Sequence, residues 1–74
     1  MEDFDITIFA QRLKELRTDK GLSTRALGAK VSTSGTSISR WELAQRLPNV
    51  DLVYNLAKFF NVTSDYLLGL EDHY

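Results

Sequence analysis

Apolar residues recur along this chain at helical spacing, separated by short polar stretches, and nowhere alternate as a strand requires. Phe9, Leu13, Leu16 and Lys20 follow an i, i+4, i+7, i+11 order, which predicts an amphipathic helix over 6–19. Asp5 or Thr7 can cap its start, and Gly21 suits a left-handed stop. Ser23 opens a second helix over 24–31, with Leu27 and Val31 facing inward. The segment 32–39 is rich in Ser, Thr and Gly and by composition is a loop. By pattern, Ser34 is an N-cap and Ile38 and Trp41 share a buried face, which predicts a turn at 32–33 and a third helix over 35–43. Pro48 blocks continuation. Asn49 then caps a fourth helix over 50–60, carried by Val50, Val53, Leu56, Ala57 and Phe60. Asn61 is a left-handed C′ candidate, Thr63 caps a fifth helix over 64–68, and Gly69 closes it. The expectation is an all-α, five-helix domain occupying 1–74.

Seventy-four residues leave room for one modest core. With no cysteine there is no disulfide and no thiolate zinc site, and the single histidine, His73, cannot form a metal cluster alone. No metal and no cofactor is therefore expected. No apolar run reaches the ~20 residues of a membrane span. The acidic start, Met1-Glu2-Asp3-Phe4-Asp5, has the wrong sign for a signal peptide. A soluble, cytoplasmic protein is the default expectation.

The formal net charge of −1 hides a polar distribution. Residues 12–46 carry Arg12, Lys14, Arg17, Lys20, Arg25, Lys30, Arg40 and Arg46 against Glu15, Asp19 and Glu42, while both ends are acidic. A basic middle of this kind suits an electrostatic footprint for nucleic acid, since distribution matters more than the total, and charge alone fits equally the chance fluctuation common in small domains.

Two short helices joined by a tight turn, the second rich in small polar residues, suit a major-groove reader. A helix enters the groove when its exposed face is not bulky, and its N-terminal residues reach base edges. The exposed positions are Gly35, Thr36, Ser39 and Arg40. Arg40 can pair bidentately with guanine, while Thr36 and Ser39 can hydrogen-bond bases or offer a methyl to thymine. No nucleophile–base pair or phosphate loop is visible: Ser34-Gly35-Thr36 lacks the lysine and spacing of a P-loop. No enzymatic activity is expected.

Arg12-Leu-Lys-Glu-Leu-Arg17, Lys20-Gly-Leu-Ser23, Ile38-Ser-Arg-Trp-Glu42, Pro48, Leu56-Ala-Lys58 and Asp65-Tyr-Leu-Leu-Gly69 together resemble the Cro/repressor (XRE-type) helix-turn-helix family. The likeness runs without a gap from about Phe9 to Leu70. It implies a five-helix, lambda-repressor-like domain of bacterial or prophage origin that binds double-stranded DNA as a transcriptional regulator, commonly a repressor. The second and third helices would form the reading unit, and a homodimer would bind a palindromic operator. By position, Gly35, Thr36, Ser39 and Arg40 would face bases, and Thr24, Ser34, Ser37, Gln45 and Arg46 would face phosphates. Arg17 and Glu42 match a partly buried ion pair, costly to break by roughly 3–5 kcal/mol if fully buried.

The sequence departs from the family at three places. Ser32 stands at the turn glycine and tolerates positive φ poorly, so a strained or altered turn is expected. Ala44 stands at the glycine that follows the recognition helix, which can then run on or end less sharply. Gly35 replaces a long polar side chain, thinning the direct readout in favour of backbone contacts and DNA shape. For dimer contact, Leu52, Phe59 and Tyr66 recur at sevenfold spacing and with Leu70 form a candidate apolar patch; the same side chains would serve equally to thicken the core. The rival reading is a protein-interaction module of the same fold, antitoxin-like or repressor-binding. Ending just after the fifth helix fits either a complete small repressor or the DNA-binding part of a longer one.

Overall fold

The computed structural model describes residues 3–72; His73 lies outside them. Five helices follow one another: α1 (Ile6–Asp19), α2 (Thr24–Lys30), α3 (Gly35–Glu42), α4 (Val50–Phe60) and α5 (Ser64–Leu68). No strand occurs among the described residues. α2 and α3 each stop one residue before the position that periodicity indicates.

Local chemistry fixes both ends of every helix. Asp5, Ser23, Ser34, Asn49 and Thr63 are all extended N-caps whose side-chain oxygens accept a backbone N–H two or three residues on. Such a cap is worth about 1 kcal/mol. The Thr7 hydroxyl, then its backbone N–H, hold the Asp5 carboxyl below its ordinary range. At the other end, each helix closes through a residue of positive φ: Gly21, Ser32, Ala44, Asn61 and Gly69. The following N–H reaches back five residues in every case, Leu22 to Arg17, Thr33 to Gly28, Gln45 to Arg40, Val62 to Ala57 and Leu70 to Asp65, over 2.8–3.2 Å. This is the Schellman closure, which satisfies carbonyls that the helix leaves open.

The core takes Phe9 and Leu13 from α1, Leu27 from α2, Ile38 from α3, Leu56 from α4 and Leu67 from α5, all without solvent exposure. α1 packs on α3 and α5, α2 on α3, and α4 on α5. Arg12 ties α1 to the end of the described chain: its guanidinium donates to the carbonyls of Tyr66 and Glu71 and lies 4.2 Å from the Tyr66 ring centroid. The Trp41 indole N–H donates to the Leu47 carbonyl at 3.2 Å and anchors the loop after α3.

Of the two roles open to Leu52, Phe59, Tyr66 and Leu70, the first three take the core role. Leu52 and Tyr66 are buried in the core, Phe59 packs half-buried against it, and only Leu70 is exposed. Sevenfold spacing keeps residues on one face only within one helix, and the left-handed Asn61 separates Phe59 from Tyr66. Val50, in the expected stripe of α4, is instead 84% exposed.

Candidate nucleic-acid interface

α3 buries Ile38 and Trp41, which turns the opposite face outward. Thr36 and Arg40 are exposed on it and Ser39 is half-buried. Thr24, Ser34, Gly35, Thr36 and Ser39 line one open cleft of about 600 Å³ between α2 and α3, together with Arg25. Arg40, Gln45 and Arg46 lie outside that lining. Gln45 and Arg46 are exposed just beyond the closure of α3.

The start of α3 is joined to this loop by a chain of polar contacts. Ser34 Oγ accepts the Ser37 backbone N–H, and the Ser34 hydroxyl donates to Ser37 Oγ, both at 3.1 Å. Ser37 Oγ in turn accepts from the Arg46 guanidinium at 3.1 Å. That guanidinium lies 5.3 Å from the Trp41 ring centroid, a cation–π contact that further fixes its position. Arg46 is thus held beside α3 rather than free in the loop, and its remaining N–H donors stay available to an anion.

Two glycines set how closely α2 and α3 approach. A Cβ on Gly28 would lie 2.8 Å from the Ser34 carbonyl carbon and 2.9 Å from the Thr33 oxygen. A Cβ on Gly35 would lie 2.8 Å from Arg25 Cα and 2.9 Å from its nitrogen. Both positions abut backbone, which cannot swing aside as a side-chain tip can. Gly35 thus lines the cleft through its backbone alone, since the direction of its missing side chain runs into α2.

Of the two other departures, Ser32 takes the strained backbone expected of it, while Ala44 ends α3 more sharply than expected. Ser32 and Ala44 adopt φ of 62° and 57°, keeping the turn and the sharp stop that glycine usually permits. α3 does not run on: Ala44 N–H bonds to the Trp41 carbonyl and Gln45 N–H to that of Arg40.

Beneath this surface Arg17 clasps Glu42. Nε–Oε2 is 2.6 Å and Nη2–Oε1 is 2.9 Å, a bidentate pair with side-chain exposures of 14% and 7%. Hydrogen bonding to Glu42 raises the Arg17 pKa above its ordinary value, against the opposing effect of burial. Arg17 also donates to the Leu22 carbonyl at 2.8 Å. Two charges of the basic middle, Arg12 and Arg17, are consumed internally, and Lys20 sits over the Phe59 ring at 5.2 Å. The basic middle of the sequence includes all three, although the family resemblance already pairs Arg17 with Glu42. No cluster able to hold a metal ion occurs among the described residues, and no described helix is long and apolar enough to cross a membrane.

A family profile described as helix-turn-helix matches residues 13–67. The transcriptional activator BcrR of Enterococcus faecalis is 39% identical over 86% of this chain and 31% of its own length. The transcriptional regulator ImmR of Bacillus subtilis is 32% identical over 84% of this chain and 49% of its own. This chain thus spans half or less of those curated relatives. Among solved structures, the P22 c2 repressor in complex with a synthetic operator superposes with a TM-score of 0.81 at 30% identity, covering 86% of this chain and 97% of that one. The restriction-modification controller C.AhdI of Aeromonas hydrophila gives 0.77 at 32%, covering 85% and 96%. With its α2–α3 unit, capped recognition helix and Arg17–Glu42 clasp, the chain belongs to the Cro/repressor-type helix-turn-helix family.

Proposed function

We propose that this domain binds a palindromic double-stranded DNA operator as a homodimer and regulates transcription, α3 lying in the major groove. The observation that carries the reading is the α3 surface itself: small or flexible polar groups outward, and an arginine held at its flank by Ser37 and Trp41. Thr36, Ser39 and Arg40 are the base-facing residues of this reading, with Arg40 the bidentate reader of guanine. Thr24, Ser34, Ser37, Gln45 and Arg46 face the phosphates, where contacts fix register without selecting sequence. Repression follows if the operator overlaps a promoter, and the protein then works in the cytoplasm with the chromosome.

A second copy is the proposed occupant of the apolar surface between the α3–α4 loop and α4. Leu47, Val50 and Tyr54 are 70%, 84% and 60% exposed, around a groove of about 540 Å³ that Phe4, Pro48 and Leu68 also line. Such a concentration on so small a domain is characteristic of interfaces. It begins one residue after Arg46, so a two-fold contact there would bring two backbone-gripping loops together.

Selection from a random duplex library tests the reading, with the winning duplex titrated by fluorescence anisotropy at two salt concentrations. Enrichment of a palindrome whose affinity falls steeply with salt is the expected result. Absence of both would favour a protein partner on the same fold.

A further inference from the structure

Gly35 opens the recognition helix without a side chain, yet the place where that side chain would start is not empty. A Cβ there would meet Arg25 at its Cα, its nitrogen and, at 3.3 Å, its Cβ. Arg25 therefore springs from the point where a residue at position 35 would begin to extend. It is exposed and lines the same cleft as Thr36 and Ser39.

The other arginines sharpen the contrast. Arg12 is bound to two carbonyls and a ring, Arg17 to Glu42, and Arg46 to Ser37 and Trp41. Among the described residues, the side chains of Arg25 and Arg40 have no ion pair, hydrogen bond or ring contact. A guanidinium fork with nothing to hold contributes little to folding and is matched by two adjacent acceptors, as guanine presents through O6 and N7. Because Arg25 is exposed and lines the cleft with Thr36 and Ser39, that fork can extend from α2 toward the bases that α3 faces.

We infer that Arg25 reads a guanine of the half-site in place of the side chain that position 35 lacks, so that two arginines from two helices, Arg25 and Arg40, specify bases. The inference rests on the DNA-binding reading above.

Random-duplex selection with the wild-type domain, Arg25→Ala, Arg25→Lys and Arg40→Ala tests it, each variant first shown to keep the wild-type melting temperature within a few degrees. The expected result is that Arg25→Ala loses a guanine preference distinct from the one lost in Arg40→Ala. Discrimination at that base pair should fall about ten- to hundredfold, the range of one bidentate contact. Arg25→Lys should weaken the same preference while keeping the wild-type salt dependence. Equal weakening on every duplex, with base preferences intact, would make Arg25 a phosphate contact and overturn the inference, as would no change at all. If Arg40→Ala alters the selected sequence and Arg25→Ala does not, the DNA-binding reading stands and the inference alone falls. If the wild-type domain selects no sequence, both fall.

Discussion

Arg17 on α1 and Glu42 at the end of α3 face each other through two near-parallel hydrogen bonds, largely removed from solvent. The pair fixes the end of the recognition helix against the scaffold. Removing one partner leaves the other ion buried without its counter-charge. Glu42→Ala should therefore destabilise the domain by about 2–4 kcal/mol in urea unfolding. The double variant Arg17→Met with Glu42→Leu should lose much less, because no charge is stranded, although the Leu22 carbonyl loses its donor. A double variant as unstable as the single one would show that the pair contributes net stability beyond its own desolvation.

Ser32 and Ala44 hold left-handed backbone at the two ends of the reading unit. A side chain there costs roughly 1–2 kcal/mol, against about 0.4–1 kcal/mol for the extra chain entropy that glycine loses on folding. Backbone strain outweighs the entropy. Ser32→Gly and Ala44→Gly should each raise stability by about 0.5–1 kcal/mol, seen as a higher urea midpoint at unchanged slope. A lower midpoint for either would mean that its side chain makes a compensating contact.

Arg40 and Arg46 should fail in different ways. Arg40 is exposed on the outer face of α3, so Arg40→Ala should cost roughly 1–3 kcal/mol at one base pair and leave most non-specific affinity intact. Arg46 is braced by Ser37 and Trp41 beside the helix. Arg46→Ala should weaken binding to all duplexes alike and flatten the salt slope by about one unit. Anisotropy titrations across a salt series separate the two patterns, and an unchanged slope would remove Arg46 from the phosphate contacts.

Val50 is, among the described residues, the most exposed of the large apolar side chains and occupies the first position of α4. Val50→Glu places a negative charge where the helix dipole favours it, so folding should be unaffected or improved by a few tenths of a kcal/mol. The same charge should disrupt a two-fold apolar contact. Sedimentation should show the variant shifted toward monomer at concentrations where the wild-type domain is dimeric, with operator affinity reduced accordingly. A dimer that persists would place the interface elsewhere.

Much of the architecture is legible in the sequence because helix ends are written in local chemistry. Asp5, Ser23, Ser34, Asn49 and Thr63 cap helices through bonds to their own neighbours, and Gly21, Asn61 and Gly69 close them, with no need of distant contacts. Periodicity within a single helix likewise marks Phe9, Leu13, Ile38 and Trp41 as inward-facing.

Properties that depend on two elements meeting lay beyond that reach. The sequence by itself determined which segments are helical, where most of them begin and stop, and which family the chain resembles, since those follow from interactions a few residues long. Only the tertiary structure decided that Leu52 and Tyr66 are core while Val50 and Tyr54 are surface, because burial depends on which helix lies opposite. Tertiary packing also withdrew Arg12 from the basic footprint, where the family resemblance already paired Arg17 with Glu42, and left Arg25 free beside Gly35. It holds Ser32 and Ala44 at a backbone conformation their side chains disfavour, because the path of the chain between packed helices outweighs a local preference of roughly one or two kcal/mol.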